Sequence, residues 1–331
     1  MSTPKVSIVS VYYNREDHVT DSVQSVLDQT HDDFEFIIID DGSTDSTLER
    51  LKAIKDPRLK IIAQKDNTGF VQAIINAVTQ AKGDYIAIHG SGDVSFPERI
   101  KKQAAILDNH NDVGIVGCHV MDDKKTGDGT YILRIPNDLP FIENLIRHNM
   151  FTHGEVMFRR SIYDKVGGYR PFFACAQDHD LWLRMSAYCD YRIIEETLYR
   201  RFRLCGGISK KTDKEVLQAD LSEFAVYCAR TRRDQGYDPL ERYGPQAISL
   251  RTPSERLAIR LIWVAIPHML AGRHSDGWSV MGRAIHEYRS LKVFCVYCVG
   301  LTHKQNLVWR CFGIPIYKKL YKSHLQRSRQ I

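Results

Sequence analysis

Residues Phe34 to Thr47, FEFIIIDDGSTDST, constrain this chain more than any other stretch. Phe36, Ile37, Ile38 and Ile39 form an unbroken aromatic and β-branched run with no polar alternation. That pattern suits a parallel strand covered on both faces. The run stops at Asp40 and Asp41 and turns through Gly42, and Ser43 or Thr44 offers a cap for a following helix. In an open α/β sheet, ligands bind outside the carboxyl ends of strands. Asp41 is therefore expected at a strand end, outside the core, where a ligand would lie. A DDGS segment alone is equally well a cap and a turn, so its neighbours decide.

Those neighbours repeat one alternation. KVSIVSVY (Lys5 to Tyr12) reads as a first strand and Arg15 to Gln29 as a helix with Val19, Val23, Val26 and Leu27 on one face. After the central strand, Leu48, Leu51 and Ile54 mark a second helix, Leu59 to Ala63 a strand, Phe70 to Ala81 a helix, and Asp84 to Ile88 a fourth strand. This β-α-β-α-β-α-β order predicts a mainly parallel, doubly wound sheet. A nicotinamide-binding domain shares the order but needs G-x-G-x-x-G after the first strand. The turn here is VYYNRED, without a glycine, and that reading fails at its diagnostic position.

Six segments point elsewhere: PKVSIVSVYYNRED, IIIDDGSTDST, Asn67-Thr68-Gly69 with Asn76, GDYIAIHGSGDVSFPER, THGEVMFRRSIYDKVGGYR and AQDHDLWLRMS. In this order and spacing they resemble family-2 glycosyltransferases of the GT-A fold, inverting enzymes that use nucleotide-sugar donors. The resemblance covers about residues 4–210. It implies that Val11, Tyr13 and Asn14 lie along the nucleoside, and that Asp41 accepts a hydrogen bond from the base or ribose. It places Gly69 and Asn76 in the loop and helix that close over them. A carboxylate suits the role given to Asp41, because a charged acceptor binds an imide N–H or a hydroxyl tightly.

One motif departs from the family. Its acidic stretch after the fourth strand supplies a carboxylate to Mg²⁺ or Mn²⁺ on the diphosphate. Here Gly90-Ser91-Gly92-Asp93 leaves only Asp93, as a nucleotide-sugar-binding residue and candidate metal ligand. A hard cation needs oxygen ligands that glycine side chains lack. Cys205 stands about where the family commonly has a histidine, and a thiol serves a hard cation poorly. Three explanations stay open: Asp93 holds the metal with waters and phosphates, cationic side chains and backbone N–H groups replace the metal, or turnover is lost.

In the second half, Asp178 matches the family's catalytic aspartate, with Gln177 where glutamate usually precedes it. The pattern puts Asp178 at a helix start, where the macrodipole favours its ionised form and where it could also be a cap. Asp180 is the rival base, and His153 could touch acceptor or phosphate or be structural. Farther back, Ser95 and Pro97 read as the cap and first residue of a helix carrying Ile100, Ala104 and Leu107.

Charge separates the chain into two parts. Nine Lys and Arg and no acidic residue follow Glu287; removing them from the net +6 leaves −3 for residues 1–287. The boundaries expected are a GT-A domain over 1–210 and a mainly helical extension over 211–331 with a basic tail. Such a tail suits an anionic membrane surface, and no framework for nucleic acid accompanies it. Met1 to Lys5 lead straight into a strand pattern, no ~18-residue apolar run exists, and the eight cysteines are scattered. Cys295 and Cys298 form a lone CxxC, read as packing. These features predict a cytoplasmic protein, at most attached to the inner membrane face. The expected activity is inverting transfer from a nucleotide-diphosphate sugar, a UDP-sugar first, to a glycan or lipid-linked acceptor in surface polysaccharide synthesis. The rival expectation is a GT-A-shaped binding or regulatory protein without turnover.

Overall fold

The structure, a computed structural model, describes residues 4–123, 130–133, 140–202, 212–270 and 272–288. The chain divides into two compact units, Met1–Cys205 and Gly206–Ile331. The CxxC and almost all of the basic tail lie outside the described residues, as does Cys205.

The first unit opens with β1 (Val6–Tyr12), α1 (Val19–Leu27), β2 (Phe34–Asp40), α2 (Thr47–Ala53), β3 (Leu59–Ala63), α3 (Phe70–Gln80) and β4 (Tyr85–Ile88). The elements follow the hydrophobic pattern closely. All of β1 is buried, as is β2 apart from the half-buried Glu35, and α1 buries Val19, Val23, Val26 and Leu27 against them. The helix expected from Arg15 begins as a short 3-10 turn, Glu16–His18, before α1. Ser43 and Thr44 do not cap α2, whose N-cap is Ser46.

The chain continues through β5 (Val94–Ser95), α4 (Arg99–Asn109), β6 (Val113–Asp123), β7 (Thr130–Leu133) and α5 (Phe141–Arg147). It closes with β8 (Met157–Arg159), α6 (Arg160–Lys165), α7 (Gln177–Met185) and β9 (Asp190–Arg201). Helix α4 starts at Arg99 with Glu98 as its N-cap, so Ser95 and Pro97 are not its cap and first residue. Ser95 is instead committed to β5, and its hydroxyl accepts from Arg99 at 2.7 Å.

Among the described residues the strands form one sheet in the order β3-β2-β1-β4-β8-β6-β9-β5, with β7 paired to β6. Strands β3, β2, β1 and β4 are parallel throughout. Antiparallel pairs enter only with β8, which joins β4 to β6. The parallel half is thus the doubly wound part that the alternation demanded, and the mixed half completes the sheet.

The second unit contains α8 (Thr212–Gln235), α9 (Pro239–Tyr243), α10 (Glu255–Leu270) and α11 (His274–Glu287). Leu257, Leu261, Ala265 and Met269 of α10 pack with Val280, Met281 and Ala284 of α11 and with Ala219 of α8. Helix α10 runs on through Pro267 near its C-terminal end. No helix among the described residues is long and apolar enough to cross a membrane.

Candidate active site

The parallel half fixes where a ligand can sit. From β1 the chain moves outward to β2 and β3, then returns to β4 on the other side of β1. The carboxyl ends of β1 and β4 flank the point where the winding reverses, the usual ligand crevice of such sheets. A cavity of about 240 Å³ opens there, walled by Val11, Ile88, His89 and Gly90 at the strand ends. Phe70 and Ile74 of α3 form another side, and His153, Asp93 and Arg201 bring polar groups to it.

Of the residues expected along the nucleoside, Val11 lines this cavity, and Tyr13 just beyond it is 43% exposed. Asn14, half-buried at φ +50°, ties the end of β1 to the Ser43–Thr44 turn. Its Oδ1 accepts from Thr44 N at 2.9 Å, and its own N–H donates to Ser43 Oγ at 3.1 Å. Asp41 departs further from expectation, because it is 1% exposed and not outside the core. Oδ1 accepts from Thr68 N (2.8 Å) and Thr68 Oγ1 (2.9 Å), and Oδ2 from Gly69 N (3.0 Å). The carboxylate anchors the loop that starts α3, with Gly69 at φ +86°. Asn76 is half-buried and lies outside the cavity wall; two residues past Ile74 on a helix, it turns about 200° from that residue.

The Gly90–Asp93 turn is closed by Asp93 N donating to Gly90 O at 3.0 Å, with Gly92 at φ +93°, where a side chain is strained. Asp93 is 8% exposed. Its Oδ2 accepts from Tyr199 Oη at 2.7 Å and its Oδ1 from Phe202 N at 3.0 Å. Burial pushes this carboxyl up to about 6, against the pull of those two donors and of Arg201 and Arg99. Tyr199 Oη also accepts from Gly90 N at 2.9 Å. A Cβ at Gly90 would stand 2.3 Å from Asp93 Oδ2, so the folded-back carboxylate fills the space that a side chain at Gly90 would need. Beneath the turn, Gly92 N donates to Ser22 Oγ at 3.1 Å. His89 is fixed between Ser22 and Ser95, and burial lowers it to about 3, so it is neutral.

On the far side, Asp178 is the second residue of α7 and half-buried, and the helix cap is Ala176, so capping is not its role. Among the described residues one donor reaches it: Asn149 Nδ2, 2.7 Å from Oδ2. Asn149 Oδ1 is buried without a hydrogen-bond partner among the described residues. His153 and Tyr169 are bonded through Nε2 and Oη at 2.7 Å. Burial lowers His153, and the charge of Asp178 acts in the opposite direction. Asp180, the rival base, is 1% exposed and gripped by Arg170 and by Arg184, whose Nη2 lies 2.8 Å away. It is a structural ion-pair centre.

Tyr199, Arg201 and Asn149 were not singled out by sequence reasoning. The available signal was YRRF at the end of a strand, an unusual place for two adjacent cations. Arg201 Nε lies 3.2 Å from Asp122 Oδ1 and its Nη2 also pairs with Asp122, a fully buried carboxylate.

The model of glycosyl transferase family 2 matches residues 7–167. The putative glycosyltransferase EpsE of Bacillus subtilis (strain 168) is 34% identical over 206 residues, 60% of this chain and 73% of that protein. The chain belongs to glycosyl transferase family 2. Another family-2 relative, the O-antigen biosynthesis glycosyltransferase WbnJ of Escherichia coli, is 33% identical over 56% of this chain and 72% of its own. Among solved structures, S. aureus TarS 1-349 in complex with UDP-GlcNAc aligns with TM-score 0.56 at 15% identity, covering 85% of this chain and 91% of that one. The mannosyltransferase PcManGT from Pyrobaculum calidifontis, in complex with GDP-Man and Mn²⁺, aligns with TM-score 0.55 at 15% identity over 94% and 83%. These likenesses show the GT-A fold.

A metal like that of the mannosyltransferase would meet few protein ligands at this site and would depend on waters and the diphosphate for most of its shell. No group of three His, Cys, Asp or Glu that could hold an ion occurs among the described residues. Both Asp93 oxygens already accept hydrogen bonds. A divalent cation needs several oxygen ligands, and this turn offers one engaged carboxylate.

Proposed function

We propose that this family-2 glycosyltransferase is an inverting enzyme that moves a sugar from a nucleoside-diphosphate donor, a UDP-sugar first, to a hydroxyl of a glycan or lipid-linked acceptor. The setting would be surface polysaccharide synthesis, the role that the name of WbnJ gives. The observation that carries this reading is a cavity at the switch point of the sheet, walled by Val11, Gly90 and His153, with the half-buried Asp178 held by Asn149 near the start of α7. The donor's nucleoside would lie toward Val11 and Tyr13, under the Asp41-anchored loop and α3. Asp178 Oδ takes the proton of the acceptor hydroxyl as that oxygen attacks the anomeric carbon. The bond from that carbon to the diphosphate breaks, the nucleoside diphosphate leaves with the electron pair, and one displacement inverts the configuration. Asn149, whose Nδ2 donates to Asp178 Oδ2, positions the base.

A second reading, nucleotide binding without turnover, is favoured by one observation: Asp93 is committed to Tyr199 and Phe202 N. A thermal-shift panel of nucleotide-sugars, followed by assay of the hits for release of nucleoside diphosphate, separates the two. A bound donor stabilises the native state by RT ln(1 + [L]/Kd), so the cognate nucleotide raises Tm. Absence of a shift with every nucleotide-sugar would sink both readings, and a shift without release under any acceptor would leave the second. The nine basic residues after Glu287 are proposed to hold the enzyme at an anionic membrane surface. Vesicle flotation tests this: equal binding to neutral and anionic vesicles rejects it.

A further inference from the structure

Four features around the Gly90–Asp93 turn bear on how a diphosphate is held. The amides of Gly90, Gly92 and Asp93 already donate to Tyr199 Oη, Ser22 Oγ and Gly90 O. The turn therefore offers a diphosphate little of the N–H cradle that Gly-rich loops usually present. Asp93 is folded back onto Tyr199 and Phe202 N, and the space of a side chain at Gly90 is filled by that carboxylate. A lone Asp93 also carries the wrong sign for an anion. What remains at the cavity wall is Arg201.

Arg201 is built for a fixed position. Its side chain is 31% exposed, while its partner Asp122 is fully buried on the neighbouring strand, where β6 and β9 pair residue 122 with residue 201. The pair engages Nε and Nη2, one edge of the guanidinium, and orients the group. Guanidinium is the side chain best matched to phosphate oxygens, and a pre-oriented fork loses less entropy on binding than a mobile lysine. A second guanidinium lies on the other side of Tyr199. Buried Arg99 lies with its guanidinium carbon 4.8 Å from the centre of the Tyr199 ring.

We infer that Arg201, held in place by Asp122, binds the donor's diphosphate and supplies the charge that a divalent cation supplies elsewhere, so that this protein binds its nucleotide without metal. The inference rests on the donor reading above. The Tyr199–Asp93 hydrogen bond keeps the competing carboxylate turned away from the phosphates, and the Arg201 charge stabilises the leaving group as the sugar–oxygen bond breaks.

The experiment is calorimetric titration of the full chain with UDP, GDP and dTDP, each in EDTA and in Mn²⁺. Wild type should bind one nucleoside diphosphate with the same Kd in both, within about twofold. Arg201→Gln alone would take a cation away from the buried Asp122 carboxylate and could fail to fold, so the test variant is Arg201→Gln with Asp122→Asn, checked by circular dichroism. It should lose about tenfold or more in affinity, equivalent to about 1.4 kcal/mol. Its affinity for uridine, which has no phosphate, should stay at the wild-type value. Arg201→Lys keeps the charge without the fork and should fall between. Binding that tightens about tenfold or more with Mn²⁺ overturns the inference and leaves the donor reading standing. Unchanged affinity in the folded double variant also overturns it. No binding of any nucleoside diphosphate, with or without Mn²⁺, overturns the donor reading and the inference with it.

Discussion

On the side of the cavity near β2 and the Gly90–Asp93 turn the acids are hooks, and on the far side one acid is left open. Asp41 takes three protein donors and Asp93 two, and both are nearly inaccessible. Asp178 takes one donor and is half-buried. Two residues along the same helix, Asp180 is enclosed by two arginines. A carboxylate saturated by N–H and O–H groups shapes backbone, since its lone pairs are already used. One with spare lone pairs and solvent access can take a proton. Donor saturation, more than motif membership, separates framework from chemistry in this molecule.

The largest expected effect is at the open acid. Asp178→Asn keeps the shape and removes the base, so turnover should fall roughly 10²–10⁴-fold with nucleotide affinity within a few-fold of wild type. Kinetics of sugar transfer beside UDP titration would check it. Full activity in the variant breaks the comparison, because no other carboxylate described here is open in the same way.

Next comes the enclosed acid on the same helix. Asp180→Ala leaves Arg170 and Arg184 without their common partner in a buried site, which should cost about 3–5 kcal/mol of stability. Urea unfolding measures this directly. A variant as stable as wild type but catalytically dead would exchange the roles assigned to Asp178 and Asp180.

The Asp41 hook should rank third. Asp41→Ala removes the acceptor for three donors of the Thr68–Gly69 loop, and about 3 kcal/mol of stability should go with it. Nucleotide affinity should drop as well, because the loop that starts α3 loses its anchor. A variant with wild-type unfolding but abolished nucleotide binding would make Asp41 a ligand residue rather than a hook.

How legible this was in sequence differs between the halves for a physical reason. Strands β1 to β4 and their helices are local patterns, apolar runs and 3.6-residue stripes, and Leu59–Ala63 appears with the boundaries that its residues suggest. Asp178 at a helix start is equally local. The partners of Asp93 are not: Tyr199 and Phe202 lie 106 and 109 residues away and meet it only because β9 runs beside β5. The same pairing of distant strands places Arg201 beside Asp122. Asp41 misled because the motif gives its position at the strand end and says nothing of the loop at Thr68 that folds over it. The strain at Gly92 was likewise a matter of φ, invisible in the letters GSGD. Gly92→Asp is therefore no clean way to restore a metal site, because a side chain there carries a backbone cost of about 1–2 kcal/mol.

The smallest expected effect tests whether Asp93 is a hook at all. Burial raises its folded value from the ordinary 3.8 to about 6. Between those values the folded protein keeps a proton that the unfolded chain has released. Stability therefore falls as pH rises through this window, and the stabilising contribution, full below pH about 4, is lost above about 6. Asp93→Asn cannot titrate, so its stability should fall less than that of wild type between pH 4 and 6, by a difference of roughly 1–3 kcal/mol. Other carboxylates titrate in both proteins and cancel in the comparison. Urea midpoints measured at several pH values would supply the two slopes. Identical slopes would mean that Asp93 is solvated, not folded against Tyr199, and the turn would then be open toward the phosphates.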